Sequence, residues 1–93
     1  MSKSVEYSTR ARNNLKKIKE FIEQDNPAAA ARVVEYLTSS ADSLAEFPLL
    51  GHVGEIAGVR ELVLTKFPYT IVYRLTPGRV RVITVLHQSQ DHA

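Results

Sequence analysis

The apolar and polar positions of this 93-residue chain change period once, dividing it into a helical half and an extended half. Ser8 or Thr9 can cap a helix, because a side-chain oxygen there accepts a main-chain N–H that the first turn leaves open. Behind it Ala11, Leu15, Ile18 and Ile22 follow in steps of four, three and four, which draws one apolar stripe down one helix face. Asn13, Lys16, Lys17, Lys19, Glu20 and Glu23 fill the other positions, and residues 24–26 break the pattern. A second helix is predicted from Asn26-Pro27: asparagine is a good cap, and proline at the first helical position gives up an N–H that has no partner there. Its stripe runs Ala30, Val33, Val34, Leu37, Ala41 and Leu44, followed by Phe47. The short connection predicts an antiparallel helical hairpin, which needs a further layer on which to bury its stripes.

Residues 48–58, with Gly51, Gly54 and Gly58, form the irregular connection, and beyond them the period becomes alternating. Strands are predicted over 59–64, 68–75 and 80–87, with Pro77-Gly78 turning the last two into a hairpin and residues 4–7 adding a short strand. The order is β-α-α-β-β-β, an α+β fold with a helical hairpin packed on a small antiparallel sheet, in one domain spanning 1–93. Strict alternation puts Tyr69, Ile71, Tyr73 and Leu75 on one face, the helix-facing one, and Thr70, Val72 and Arg74 on the other. In the last strand it sets Val80, Val82, Thr84 and Leu86 against Arg81, Ile83, Val85 and His87. Neither face is cleanly polar, and a helical hairpin covers only one. Apolar surface is therefore left for another molecule to close, or for a half-wet sheet with scattered valines.

Composition narrows the class. The hydrophobic share of 44% suits a globular protein, and the net charge of +2 permits a nucleic-acid or acidic partner without requiring one. There is no cysteine, hence no disulfide framework or thiolate metal site. His52, His87 and His92 are scattered, which argues against zinc, and nothing in the pattern asks for a cofactor. No apolar run is long enough for a membrane span, and residues 1–7 lack the apolar core of a signal peptide, so a cytoplasmic protein is expected.

Three segments carry a family pattern: Gly58-Val59-Arg60-Glu61-Leu62-Val63, Tyr69-Thr70-Ile71-Val72-Tyr73-Arg74 and Val85-Leu86-His87-Gln88-Ser89. With Glu46-Phe47-Pro48 and the start of the first helix, they resemble the RelE/ParE superfamily of toxins from type II toxin–antitoxin systems, over nearly the whole chain. The resemblance implies a growth-arresting protein held inactive in a hetero-oligomer by a cognate ParD-like antitoxin. It also implies one of two targets: RelE-like members cut messenger RNA on the ribosome, and ParE-like members poison DNA gyrase.

Cleavage through the ribose 2′-hydroxyl needs a proton acceptor, a proton donor and cations at the phosphate. RelE-like members mostly supply these from basic side chains and a C-terminal tyrosine, or from a glutamate–histidine pair. Where their middle strand commonly carries arginine this chain has Thr70; Gln88 and Ser89 stand for basic residues; no tyrosine follows Tyr73. The ending from Val85 to Ser89 is instead similar to ParE, which favours a gyrase inhibitor without catalytic residues of its own. A RelE-like ribosome-dependent endoribonuclease, metal-independent, is the alternative; a chain that binds its antitoxin but harms nothing is a third.

The candidate antitoxin- or target-binding residues are Arg60, Arg74 and His87. Each arginine can grip a carboxylate or phosphate through its planar fork, or simply lie exposed on a strand. His87 can be an acid/base group or a structural histidine at the sheet edge. Arg10, Arg12, Lys16, Lys17 and Lys19 make the first helix basic, either as a solvated face balanced by Glu20 and Glu23 or as a docking surface.

Overall fold

The computed structural model describes residues 3–89; His92 lies outside them. Strand β1 (Ser4–Tyr7) runs straight into helix α1 (Thr9–Glu23), and helix α2 (Pro27–Asp42) follows and tightens into a 3₁₀ turn at Ser43–Ala45. Strands β2 (His52–Val53), β3 (Val59–Val63), β4 (Tyr69–Thr76) and β5 (Arg79–His87) complete the chain. Both helix starts are capped as the sequence implies. Ser8 Oγ accepts the Ala11 N–H at 2.9 Å, and Asn26 Oδ1 accepts the Ala29 N–H at 3.0 Å with Pro27 at the first position.

The sheet order is β1-β5-β4-β3-β2. Four strands run antiparallel to their neighbours, while β1 lies parallel to β5, pairing Ser4 with Arg79 and Tyr7 with Val82. The sheet is thus mixed rather than wholly antiparallel. A parallel pair needs a long crossover, and everything from α1 to β4 supplies it. The two-residue β2 lies inside the segment expected to be irregular; two residues are too short to show an alternation.

One face of the sheet carries the helices. Ala11 of α1 and Val33, Leu37 and Ala41 of α2 pack with Leu64, Tyr69, Ile71, Val82 and Val85. A second cluster joins Leu44, Tyr73 and Val80. Both tyrosines are on the helix side, as expected, with Tyr73 fully buried. Phe47 departs from the expected stripe: it is exposed, because the chain has left the helix and turned before reaching it.

Strict alternation fails in β5. Val72 pairs with Thr84 but Tyr73 pairs with Val82, so Ile83 is an extra residue, a β-bulge. Beyond it the faces exchange. Val80 and Val82 face the helices, and so do Val85, opposite Ile71, and His87, opposite Tyr69; Thr84 and Leu86 move to the outer face. The polar groups that the bulge and the end of β1 release are taken up by α1. Ser8 donates its hydroxyl to the Ile83 carbonyl at 2.6 Å, and Asn14 Oδ1 accepts the Val85 N–H at 3.0 Å and the Thr84 hydroxyl at 2.7 Å. The helix therefore covers the stretch of β5 edge that β1 is too short to pair.

Candidate functional site

The outer sheet face is not the open apolar plane that a short chain suggested. The loop between β2 and β3 folds back on it: the Gly54 N–H reaches the Val59 carbonyl at 2.8 Å, the Val59 N–H reaches the Ile56 carbonyl at 3.1 Å, and Val59 is buried. Between this loop, α1 and the strands lies a groove of about 410 Å³, with Ile56, Val72, Ile83 and Leu86 in its walls, Arg10 and Arg74 as cations, and Glu55 and Glu61 as carboxylates. A neighbouring recess joins His52 to Glu55 and Glu61. Thr70 is 1% exposed, and its hydroxyl has no hydrogen-bond partner among the described residues. The position where an arginine was looked for is thus a sealed neutral site.

Large exposed apolar side chains gather elsewhere: Phe47, Leu49 and Leu50 after α2, Val53 and Ile56 around β2, Val63 at the end of β3, and Phe21 on α1. The segment carrying Leu49 and Leu50 is held from beneath. Tyr73 donates its hydroxyl to the Pro48 carbonyl at 2.7 Å and accepts the Gly51 N–H at 2.9 Å. Arg60 donates its Nε to the Gly51 carbonyl at 3.0 Å and an Nη2 hydrogen to the Leu49 carbonyl at 3.4 Å. Gly51 admits no side chain, since a Cβ there would fall 2.7 Å from the Glu61 carbonyl oxygen and 2.8 Å from the Tyr73 ring.

The three candidates do not form one cluster. Arg60 is half-buried on the helix side, where it clamps that loop. Arg74 is exposed on the outer face, lining the groove and paired across the ladder with Arg81, which itself meets Glu6 at 3.8 Å. His87 is at the helix-side end of β5. Its ring stands edge-on to Tyr69 with centroids 5.3 Å apart, and its Nδ1 lies 2.7 Å from the Ser89 hydroxyl and 3.1 Å from the Ser89 N–H. Arg60 is opposite Tyr73 and His87 opposite Tyr69, on the two flanks of β4. Their backbones are therefore about 16 Å apart, four residues along and two strand spacings across. No single ligand atom can touch all three.

Two further clefts follow α1. Arg10, Asn13, Asn14, Lys17, Thr84 and Leu86 line one of about 530 Å³. Asn14, Lys17, Ile18, Phe21, Tyr69, Val85, His87 and Ser89 line another of about 430 Å³. Arg10, Asn14 and Lys17 were not singled out as a unit from the sequence, although their spacing of four and three residues was the available signal.

Comparison with known proteins places this geometry. Residues 5–92 match the family of the ParE toxin of the type II toxin–antitoxin system parDE. The Y4kP protein of Sinorhizobium fredii, named as a toxin, is 43% identical over 89 residues, covering 96% of this chain and 92% of its own length. Toxin RelE2 of Caulobacter vibrioides is 37% identical over 86 residues, covering 92% and 96%. Among solved structures, a chain of the chromosomal ParDE system of P. aeruginosa superposes with a TM-score of 0.83 at 19% identity, over 92% of this chain and 96% of that one. The isolated E. coli RelE toxin superposes with a TM-score of 0.68 at 18% identity, over 90% and 82%. With its helical hairpin on a mixed sheet and a family match along nearly its whole length, this chain belongs to the ParE toxins of type II toxin–antitoxin systems, within the RelE/ParE superfamily.

Proposed function

We propose that the chain acts in the cytoplasm as a ParE-like inhibitor of DNA gyrase, neutralised by a cognate ParD-like antitoxin in a hetero-oligomer. One observation carries the choice of target: the outer-face position that RelE-like chains give to arginine is occupied by Thr70, buried and neutral. A buried hydroxyl can neither hold a permanent positive charge against a phosphate nor exchange protons near neutrality. The higher structural similarity to the ParDE chain than to RelE points the same way, for the fold. An interaction-only inhibitor needs binding surface instead of an acid/base set, and the exposed Phe47, Leu49, Leu50, Val53 and Ile56 provide it. These same side chains are what an antitoxin would cover.

A second reading rests on the outer recess, where His52 and Glu61 face each other across the β2–β3 ladder beside the groove that holds Arg10 and Arg74. A histidine, a carboxylate and two cations can move a proton and steady a phosphate, which is the RelE-like alternative. Controlled expression in bacteria tells the two apart. A gyrase inhibitor arrests growth, switches on a DNA-damage reporter and leaves messages full-length. Truncated messages without the damage response would transfer the function to the ribosome, and undisturbed growth would remove both readings.

A further inference from the structure

The two clefts along α1 share Asn14 and Lys17 and so form one furrow, basic at the Arg10 end and aromatic at the Phe21 end. Its floor is the part of β5 beside α1, from Thr84 to His87, and its wall is a single helix face. Arg10, Asn13, Asn14, Lys17 and Phe21 recur at offsets of three, four, seven and eleven, which keeps them in one line beside the apolar stripe. Glu23 stands off this line, while Glu20, three residues after Lys17 and seven after Asn13, borders it without lining either cleft. The two carboxylate ion pairs among the described residues both use Glu6, and neither involves Arg10 or Lys17. Among the described residues no carboxylate lines either cleft, and the nearest, Glu55 and Glu61, lie in the adjoining groove that Arg10 also borders.

Asn14 adds direction to this charge. Its Oδ1 is fixed by the Thr84 hydroxyl and the Val85 N–H, so the amide plane is set by the strand. The two Nδ2 hydrogens then have no acceptor among the described residues and remain donors to the furrow that Asn14 lines. At the other end Phe21 is 72% exposed, and with Tyr69 and His87 it bounds a space of about 430 Å³. Cations along a groove, then an exposed ring such as Phe21 at its end, is how proteins hold a strand whose bases are unpaired: the backbone follows the charge and a base stacks on the ring. A duplex fits poorly, since its bases are already stacked away from such a pocket.

We propose that this furrow binds single-stranded DNA, with phosphate oxygens at Arg10, Lys17 and the Asn14 amide and an unstacked base against Phe21, Tyr69 and His87. That the strand is DNA rather than RNA rests on the gyrase reading above; the furrow itself is independent of it. At its basic end the furrow adjoins the outer-face groove, since Arg10, Thr84 and Leu86 border both.

Fluorescence anisotropy with the full chain and a labelled 20-nucleotide single strand, its duplex and the RNA of the same sequence tests this between 50 and 200 mM salt (conditions on the order of those where phosphate contacts register). The single DNA strand should bind most tightly. The double variant Arg10→Glu, Lys17→Glu should lose at least about tenfold in affinity and flatten the salt dependence by about 1.4 in log–log slope, roughly 0.7 for each lost phosphate contact on a single strand. Phe21→Ala should weaken binding by roughly tenfold with the slope unchanged. Asn14→Asp, which keeps an acceptor for Val85 and Thr84, should retain the fold by circular dichroism yet bind less well. No binding of the single strand at the lowest salt, or unchanged affinity in the double variant, would overturn the proposal. So would tighter binding of the duplex, the RNA or a polyglutamate peptide. The assay contains no gyrase, so its failure leaves the gyrase reading standing, and a failed gyrase assay leaves the strand binding in place.

Discussion

Tyr73 is the residue on which the exposed loop depends. Its ring fills the smaller core cluster while its hydroxyl bonds both Pro48 and Gly51. Tyr73→Phe keeps the ring but strands the buried Gly51 N–H, and should cost about 1–3 kcal/mol in urea unfolding. Thr70 is the opposite case. Its hydroxyl is buried with no partner among the described residues, so Thr70→Val, similar in shape without the polar atom, should leave stability unchanged or raise it by up to about 2 kcal/mol. A clear loss would mean that the hydroxyl is satisfied after all. Tyr7 gives a pH signature. Burial, then the charge and hydrogen bond of Asp42, push its hydroxyl up from 10.0 to about 12. The folded chain therefore holds this proton more tightly than the unfolded one. The stabilisation is complete below pH 10 and is lost as the pH rises from there through about 12. Burial raises Tyr69 as well, with the same sign, so Tyr7→Phe should flatten only part of the alkaline fall in unfolding free energy. Arg60, Arg74 and His87 were legible in the sequence as individual motif residues. Their dispersal was not, because it depends on strand order and on which face each position takes.

At the scale of elements, both helices could be read from an apolar stripe joined to a capping residue, two local signals that agree. β3 and β4 were legible to within a residue or so at each end, because they pair with each other in constant register and the inserted residue lies on β5. β5 shows the limit of that method. Its bounds came out nearly right, but its faces were inverted after Ile83, since alternation assumes that no residue is inserted in the ladder. The parallel pairing of β1 was hidden for another reason: partners 75 residues apart, such as Ser4 and Arg79, leave no mark on local periodicity. What holds the bulge is α1, through Ser8 and Asn14. Asn14→Ala should therefore destabilise the fold by about 1–3 kcal/mol, by leaving the Val85 N–H without its acceptor. Asn14→Asp should not, which separates the acceptor's structural role from the donors that face the furrow. Equal losses in the two variants would show that the side-chain oxygen is not what secures the strand.

For the whole molecule, a two-layer fold of this length leaves much of its apolar surface outside the core. That surface lies in the loop after α2, around β2, and at Val63 and Phe21. The sequence showed that such a surplus had to exist; its location depends on the loop that folds back over Val59 and on the Tyr73 and Arg60 bonds beneath Leu49. On the gyrase reading proposed above, the toxin works by being bound, by its antitoxin or by its target, without a reaction of its own. The most direct test of that view is plasmid cleavage by purified gyrase in the presence of the full chain. Linear DNA released by detergent and protease should accumulate in proportion to the chain added, with supercoiling inhibited over the same range. Unimpaired supercoiling with no trapped cleavage, alongside message cutting on purified ribosomes, would contradict it.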